Sequence, residues 1–229
     1  MLRTIHADRS KVRGGVRADM YEQGNRGKYR WRRDQLESGE TITCPMICTR
    51  QCTATKDNGI RCRNRSCTDY RYCWRHLATR KHLAIRPSAH GMGLFAVDGV
   101  TRVLGVDRTR PVFERGDVID EYQGEALSQE DLDERYPGDS PASFTISNAH
   151  GGEHMDALCA VSAASFANDP VDVTSIIGRR DFQRRYNAAR PRTENAETVS
   201  YPSRVELVAK KRIYHGEEIM LRYGPSYWK

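Results

Sequence analysis

Six of the seven cysteines in the sequence lie between residues 44 and 73, and a histidine follows the last of them by three residues. Thiolates and imidazoles are common Zn²⁺ ligands, and four of them in a tetrahedron close a structural site. Cys73 and His76 are near enough to reach one ion across a tight turn. The turn signal Asn58-Gly59 would bring the flanking cysteines together. The sequence therefore predicts a zinc site made of Cys52, Cys62, Cys73 and His76.

Two alternatives to this single site remain open. The cysteines could be reduced, partly buried thiols that hold no metal. Alternatively, the six cysteines and His76 supply the seven ligands that two tetrahedral ions need when one thiolate bridges them, and Cys44, Cys48 and Cys67 would then join the site. The segment has few hydrophobic residues, so we expect metal binding to supply most of its folding free energy.

The charges of the chain are divided unevenly along its length. Residues 1–90 hold 20 Lys and Arg against 8 Asp and Glu, whereas residues 91–229 hold 17 against 22. The basic half suits a polyanion and the acidic half suits a cationic partner. The run Arg30-Trp31-Arg32-Arg33 interleaves an aromatic ring with cations, as nucleic-acid-binding arms do. We therefore expect nucleic-acid contact through residues 1–90, with a solvated tail as the alternative.

The sequence also predicts where the protein acts. No stretch approaches the roughly 20 apolar residues that cross a bilayer. The first residues have no apolar core of the kind that a secretory signal needs. We therefore expect an intracellular protein without membrane association, whose cysteines are reduced.

Short apolar runs with strand character dominate the chain from Gly91 onward, punctuated by Gly, Asp, Asn and Pro. Strands are expected at 94–97, 118–122, 143–147, 205–209 and 218–223. Ser128 can cap a helix that reaches Tyr136, with Asp131 at the third helical position. This pattern predicts a mainly β class. We divide the chain into a basic arm (1–43), a small irregular zinc-stabilised module (44–86) and a larger domain (87–229) with an insert at about 171–193.

The segment Gly91-Met92-Gly93-Leu94 contains two glycines but lacks the third glycine that would open a helix in a dinucleotide-binding fold. Other motifs follow it in a fixed order: Glu121-Tyr122-Gln123-Gly124, Ala167-Asn168-Asp169-Pro170, Glu194-Asn195-Ala196-Glu197, Gly216-Glu217-Glu218-Ile219, Tyr223-Gly224 and Tyr227-Trp228. Over residues 91–228 these motifs resemble the SET-domain family of protein lysine methyltransferases. With the Cys/His module, the chain also resembles SET proteins encoded by large DNA viruses.

The resemblance implies a fold of small curved β-sheets in which the C-terminal segment threads beneath a preceding loop as a pseudoknot. It also implies S-adenosylmethionine as the methyl donor. By position, Met92, Gly93 and Leu94 would meet this cofactor through backbone groups and Asn168 through its amide. Tyr223 would stand where cofactor and substrate channel meet, Tyr122 would line the channel, and Trp228 would cover part of the cofactor or channel.

The family's chemistry suits these residue types. Methyl transfer from a sulfonium to an amine is an in-line displacement, which depends mainly on alignment. The lysine must arrive neutral although its free pKa is about 10.4. An aromatic channel and the adjacent sulfonium disfavour the ammonium form. The acidic residues between 121 and 139 would attract a basic tail. The implied substrate is a histone tail, and the implied compartment is the nucleus, which would be the host nucleus for a viral protein.

The chain departs from the family pattern in several places. Asp169 stands where the family has His, and Ser165 where it has Arg. The long insert makes Asn187 a rival to Asn195 for the second family asparagine. No cysteine triplet follows the last motif, so Tyr227 and Trp228, or a partner chain, would complete the channel. A catalytically idle SET-like adaptor for chromatin or nucleic acid is therefore the alternative function. The target lysine, the number of methyl groups and the oligomeric state, a homodimer included, stay open.

Overall fold

The computed structural model describes residues 22–23, 28–35, 41–47, 50–66, 71–89, 91–99, 109–138, 142, 144–149, 153–158, 162–171, 180–189 and 193–228. Within these residues the strands are β1 (Glu22–Gln23), β2 (Lys28–Gln35), β3 (Thr41–Ile47), β4 (Arg50–Gln51), β5 (Arg65–Ser66), β6 (Leu83–Ser88), β7 (Gly91–Ala96), β8 (Val118–Tyr122), β9 (Glu125–Leu127), β10 (Thr145–Ala149), β11 (Glu153–Asp156), β12 (Ala196–Tyr201) and β13 (Arg204–Ala209). The helices are α1 (Trp74–Lys81), α2 (Gln129–Arg135) and α3 (Phe182–Ala188), with 3₁₀ turns at Ala164–Phe166 and Pro225–Trp228.

The mainly β class is confirmed. The strands form five small sheets of two or three strands each, and every strand pair is antiparallel. The sheets from β6 onward share one hydrophobic cluster, which stabilises strands that form only small sheets by themselves.

The basic arm contains more regular structure than the sequence suggested. Strands β1, β2 and β3 form one sheet, in which β2 and β3 pair from Lys28↔Ile47 to Gln35↔Thr41. The expected boundary between residues 43 and 44 falls within the residues of β3 and, as a domain limit, remains a prediction. Aromatic and basic residues alternate at Tyr29 to Arg32, a strand pattern that their high charge obscured. The other proposed domain limits remain predictions.

The Cys/His module is built on one tight turn and one helix. Residues 56–60 turn back through Gly59, whose φ of +78° lies in the left-handed region that glycine tolerates. A bridge between Thr55 and Arg61 closes this turn, so the turn predicted at Asn58-Gly59 is confirmed. Helix α1 starts directly after Cys73 and ends at His82 in a left-handed conformation.

The hairpin of β6 and β7 runs from the end of the module into the larger domain, which also contains two three-stranded sheets, ordered β10-β11-β9 and β12-β13-β8. The strands expected near 94–97, 118–122, 143–147 and 205–209 are present as β7, β8, β10 and β13. The run expected at 218–223 forms isolated bridges instead of a regular strand.

These bridges place the C-terminal segment between two parts of the domain. On one side, the Ile219 N–H donates to the Leu94 carbonyl at 2.7 Å. On the other side, the Leu221 N–H donates to the Asn168 carbonyl at 2.9 Å, and Ala196 donates to Met220 at 3.1 Å. The segment therefore joins β7, the loop at Asn168 and the start of β12, which lie far apart in sequence.

One hydrophobic cluster lies behind this segment and links the sheets. Its fully buried members include Leu83, Ile85, Leu94, Leu207, Ile213 and Ile219. Burying each such side chain stabilises the fold by about 1.5–3 kcal/mol.

Helix α2 begins as predicted. The Ser128 hydroxyl accepts from the Asp131 N–H, and the Asp131 carboxylate accepts from the Ser128 N–H, which makes a reciprocal capping box. Among the described helices, none is both long and apolar enough to cross a membrane.

Candidate functional site

The four predicted metal ligands converge in the module. Cys52 and Cys62 come together across the turn at Gly59, while Cys73 and His76 flank the first turn of α1. Cys52 Sγ lies 3.3 Å and Cys73 Sγ 3.5 Å from His76 Nδ1, and Cys62 Sγ lies 4.0 Å from Cys73 Sγ. All four ligand atoms lie within 4.8 Å of one another. The sulfur separation is about twice the ~2.05 Å of a disulfide bond.

This geometry fits a tetrahedral ion. With Zn–S distances of about 2.3 Å, the edges of a tetrahedron measure about 3.8 Å, close to the observed separations. Three N–H groups also point at the sulfurs: Cys73 N to Cys52 Sγ at 3.3 Å, Asn64 N to Cys62 Sγ at 3.4 Å and Asn64 Nδ2 to Cys73 Sγ at 3.5 Å. Such donors stabilise thiolates in structural zinc sites.

The electrostatics at His76 and Cys73 suit a cation, whereas burial raises the pKa of the Cys52 thiol. Burial lowers the pKa of His76, and the nearby charges of Arg80, Arg75 and Lys56 lower it further, so the neutral imidazole that ligates metals is favoured. Burial alone would raise the pKa of Cys73, but hydrogen bonds from the His76 backbone and the Asn64 amide bring that pKa below its ordinary value. Cys48, Cys67 and the Cys44 side chain lie outside the described residues, so the two-ion alternative remains a hypothesis.

A second cluster forms where the C-terminal segment crosses β7. Asn168 Nδ2 lies within hydrogen-bonding distance of Ser88 Oγ at 3.2 Å, the Met92 carbonyl at 3.2 Å and Glu218 Oε1 at 2.8 Å. Two amide hydrogens therefore serve three acceptors. Among the described residues, Asn168 Oδ1 accepts no hydrogen bond. Met92 and Gly93, two of the predicted cofactor residues, thus lie beside Asn168, and their role in cofactor binding stays a prediction.

Asn195 holds the same segment through both polar atoms of its side-chain amide. Its Nδ2 donates to the Glu218 carbonyl and its Oδ1 accepts from the Met220 N–H, both at 2.8 Å. The side chain is buried and adds to the backbone hydrogen bonds that the Asn195 and Ala196 N–H groups donate to the Met220 carbonyl. Asn187 instead lies exposed on α3. Of the two rival asparagines, Asn195 is therefore the one that contacts the C-terminal segment.

Tyr223 is fixed at both ends by the loop that contains Asn168. Its phenol donates to the Ala167 carbonyl at 2.6 Å, and its backbone N–H donates to Asp169 Oδ2 at 3.0 Å. The ring packs partly buried against the main hydrophobic cluster, and the Tyr227 ring meets it edge-on with centroids 4.4 Å apart. The phenol therefore faces the loop rather than open solvent.

The other predicted channel residues are less fully described. Tyr122 is buried in the main cluster at the end of β8, and its phenol donates to the Phe144 carbonyl at 2.7 Å. Trp228 ends the last 3₁₀ turn, and its side chain lies outside the described part of the chain. The roles assigned to these two residues stay predictions.

Several residues at this crossing were not singled out by sequence reasoning. Glu218 lies within the quoted Gly-Glu-Glu motif, which was a signal that could have identified it. Tyr186, by contrast, belongs to the insert, where the neighbouring Asn187-Ala188 was considered but nothing in the sequence pointed to the tyrosine itself. Ser165, which stands where the family has Arg, is buried and donates from Oγ to the Ser162 carbonyl at 2.8 Å.

Neither a protein-family model nor a curated protein matches the sequence. The fold is similar to chains of solved structures, among them the following two. A chain of the Chaetomium thermophilum polycomb repressive complex 2 aligns with a TM-score of 0.42 and 21% identity over 62% of this chain and 15% of that chain. The methyltransferase domain of human PR domain-containing protein 2 aligns with a TM-score of 0.38 and 12% identity over 62% of this chain and 77% of that chain.

The protein thus spans a small part of the first of these chains and most of the second. Neither source is a virus, so the resemblance to viral proteins receives no support from them. Both likenesses are too distant to assign a function to this chain. A functional proposal must therefore rest on its own residues.

Proposed function

We propose that the protein is a SET-type, S-adenosylmethionine-dependent protein-lysine N-methyltransferase with a zinc-stabilised N-terminal module. The main support is the meeting of Met92–Leu94, Asn168 and Tyr223 around one crossing segment. These residues match the family motifs in order and lie more than 120 residues apart at the extremes.

The residues present fit a cationic methyl donor. Asn168 Oδ1 and the Glu218 carboxylate both lie at the turn of β7 and offer acceptors to positively charged groups. Met92, Gly93 and Leu94 would add backbone contacts. The donor, when bound, supplies a methyl group activated on a sulfonium. The site can therefore bind this cofactor without a metal ion among its ligands.

Tyr223 would orient the reacting groups. Its hydroxyl hydrogen points to the Ala167 carbonyl, so the oxygen lone pairs remain to accept weak contacts from a polarised methyl group or a hydrogen bond from the lysine amine. Tyr122 would provide an apolar wall that favours the neutral amine. Trp228 would cover part of the cofactor or channel, and Tyr227 supports the Tyr223 ring.

A basic substrate tail suits the surface of the larger domain. The exposed acidic residues on and around α2 are Glu121, Glu125, Glu130, Asp131, Asp133 and Glu134. Their potential would raise the encounter rate with a cationic peptide. We propose a histone tail as the substrate and the nucleus as the compartment, since such a tail is rich in lysine.

Nucleic acid is the proposed second partner, because the module exposes many more cations than anions. The exposed basic residues described there are Lys56, Arg61, Arg63, Arg65, Arg71, Arg75, Arg80 and Lys81, and Asp57 is the single acidic residue among those described between 50 and 81. Cations held on a small rigid module displace counterions from a phosphate backbone. The module would hold the enzyme near DNA while the acidic domain receives the tail.

Charge reversal tests the nucleic-acid contact. Replacing Arg63 and Arg71 by Glu should weaken duplex DNA binding and flatten its dependence on salt concentration, measured by fluorescence anisotropy. The control reverses Arg110, an exposed cation of the larger domain, together with Arg180 on the insert. If both double variants lost DNA affinity equally, net charge rather than a specific contact by the module would explain the binding.

Methyl transfer is tested by incubating the full chain with labelled donor and core histones, followed by mass spectrometry of labelled peptides. Calorimetric titration with S-adenosylmethionine provides the binding arm. Asn168→Ala should weaken donor binding, whereas Asn187→Ala on the exposed face of α3 should not. No binding heat at millimolar donor, and no labelled peptide, would favour the idle adaptor instead.

A further inference from the structure

Asp169 occupies the position next to Asn168 at which the sequence departs from the SET pattern. Its carboxylate is 4% exposed and accepts several hydrogen bonds. Oδ1 accepts from the Val171 N–H at 2.8 Å, and Oδ2 accepts from the Tyr223 N–H at 3.0 Å and from the Tyr186 phenol. Asp169, the residue that departs from the family pattern, therefore accepts a hydrogen bond directly from the backbone of Tyr223 at the candidate site.

Tyr186 reaches this carboxylate from the insert. Phe182 and Tyr186 are one helical turn apart on α3 and share its inward face, with their ring centroids 5.9 Å apart. The Tyr186 side chain is 1% exposed and its phenol also accepts from the Gly224 N–H at 2.9 Å. Burial, with the Asp169 carboxylate, raises the pKa of Tyr186 to about 12, so this phenol stays a donor at physiological pH.

Three consecutive residues of the C-terminal segment are held by this pair. Arg222 donates to the Tyr186 carbonyl at 2.7 Å and stacks over the Tyr186 ring at 4.7 Å. Tyr223 bonds to Asp169, and Gly224 bonds to Tyr186. The Tyr223 phenol is fixed separately by Ala167, two residues before Asp169. The insert and the Asn168 loop therefore act together on the backbone that presents Tyr223.

We infer that Asp169 and Tyr186 are positioning residues for Tyr223, so that the insert helix α3 is part of the active-site support. This inference rests on the proposed methyl transfer, in which Tyr223 orients the reacting groups. Displacing a reacting group by about 1 Å can cost on the order of 100-fold in rate. A buried pair that fixes three successive residues limits that displacement.

The test compares Tyr186→Phe with Tyr201→Phe, a matched change at an exposed tyrosine of the β12–β13 hairpin. Tyr186→Phe should lower kcat about tenfold or more while the KM values for donor and peptide change less than about threefold, because contacts to substrate are kept. Asp169→Asn, which retains an acceptor oxygen, should recover part of the activity that Asp169→Ala loses. Equal kcat values for the Tyr186 and Tyr201 variants would overturn the inference.

A spectroscopic arm separates this inference from the proposed function. With ¹⁵N-tyrosine labelling, the Tyr223 amide signal is assigned by its loss in Tyr223→Phe. Tyr186→Phe should shift that signal and Tyr201→Phe should not, whether or not methyl transfer occurs. If the wild-type chain transfers no methyl group, the proposed function fails. The Tyr223 amide signal then decides by itself whether Asp169 and Tyr186 position Tyr223. A Tyr223 amide signal that does not shift in Tyr186→Phe overturns the inference. If Tyr186→Phe does not fold, Asp169→Asn takes its place in this experiment.

Discussion

Gly93 and Glu218 fit against each other so closely that a side chain at the glycine has no space. A Cβ atom built on Gly93 would overlap Glu218 Oε1 and lie 2.8 Å from Glu218 Cδ and 3.0 Å from Asn168 Nδ2. The same carboxylate oxygen accepts from Asn168. The glycine therefore lets the C-terminal segment and the Asn168 loop meet at β7, which is a structural reason for a small residue besides approach to a cofactor.

Gly93→Ala should destabilise the fold by about 0.5–1.5 kcal/mol, the usual net worth of one hydrogen bond, because the flexible Glu218 side chain can move aside. The added methyl group must displace the Glu218 carboxylate, which then loses its hydrogen bond from Asn168. In a Glu218→Ala background the same change should cost much less, because the obstructing group is gone. Urea unfolding of the wild type, the two single variants and the double variant measures this coupling. Additive effects would mean that the glycine is not constrained by Glu218.

Tyr223→Phe should lower methyl transfer about tenfold or more, or change the number of methyl groups added, because the phenol that orients the amine is lost. Its stability should fall by only about 1 kcal/mol, the usual worth of the hydrogen bond to Ala167. Mass spectrometry of the peptide products measures both rate and product. Tyr201→Phe is the control, and identical products and rates in the two variants would remove Tyr223 from its proposed role.

The metal cluster was predictable because its geometry is local. The short spacing from Cys73 to His76 and the turn at Gly59 bring the ligands together without help from distant parts of the chain. The helix start at Ser128 was predictable for the same reason, since capping involves neighbouring residues alone.

The contacts around Tyr223 were predictable only in part. The order of the family motifs indicated Met92, Asn168 and Tyr223. No local pattern connects Tyr186 with Asp169, which are 17 positions apart in the sequence. Asn187 and Asn195 begin the same dipeptide, Asn-Ala, and differ only in where the chain places them. Burial against the crossing segment, which depends on the whole fold, distinguishes the two.

Metal content tests the Cys/His module. The purified chain should hold one zinc ion, and a chelator should lower its melting temperature, because the module has little hydrophobic core without the metal. His76→Ala should lose zinc, whereas Cys159→Ser, outside the cluster in sequence, should keep it. Two ions per chain would support the alternative in which Cys44, Cys48 and Cys67 contribute, and a ratio of one would reject it.

Asp120 gives the larger domain a specific pH dependence. Its carboxylate on β8 is 14% exposed and lies 3.3 Å from Lys81 Nζ on α1. Burial raises the pKa of Asp120, although the charge of Lys81 opposes that shift. The folded chain therefore holds this proton more tightly than the unfolded chain, in which the pKa is about 3.9. Ionisation of Asp120 thus opposes folding as the pH rises through the raised pKa.

Asp120→Asn removes this proton equilibrium while keeping the shape of the side chain. The unfolding free energy of the variant, relative to wild type, should rise as the pH increases from about 4 through the raised pKa and then level off. Lys81→Met should shift the window to higher pH, because the cation that lowers the Asp120 pKa is absent. Urea unfolding over this pH range measures both differences. A difference between wild type and Asp120→Asn that does not change with pH would show that burial leaves this carboxyl group at its ordinary pKa.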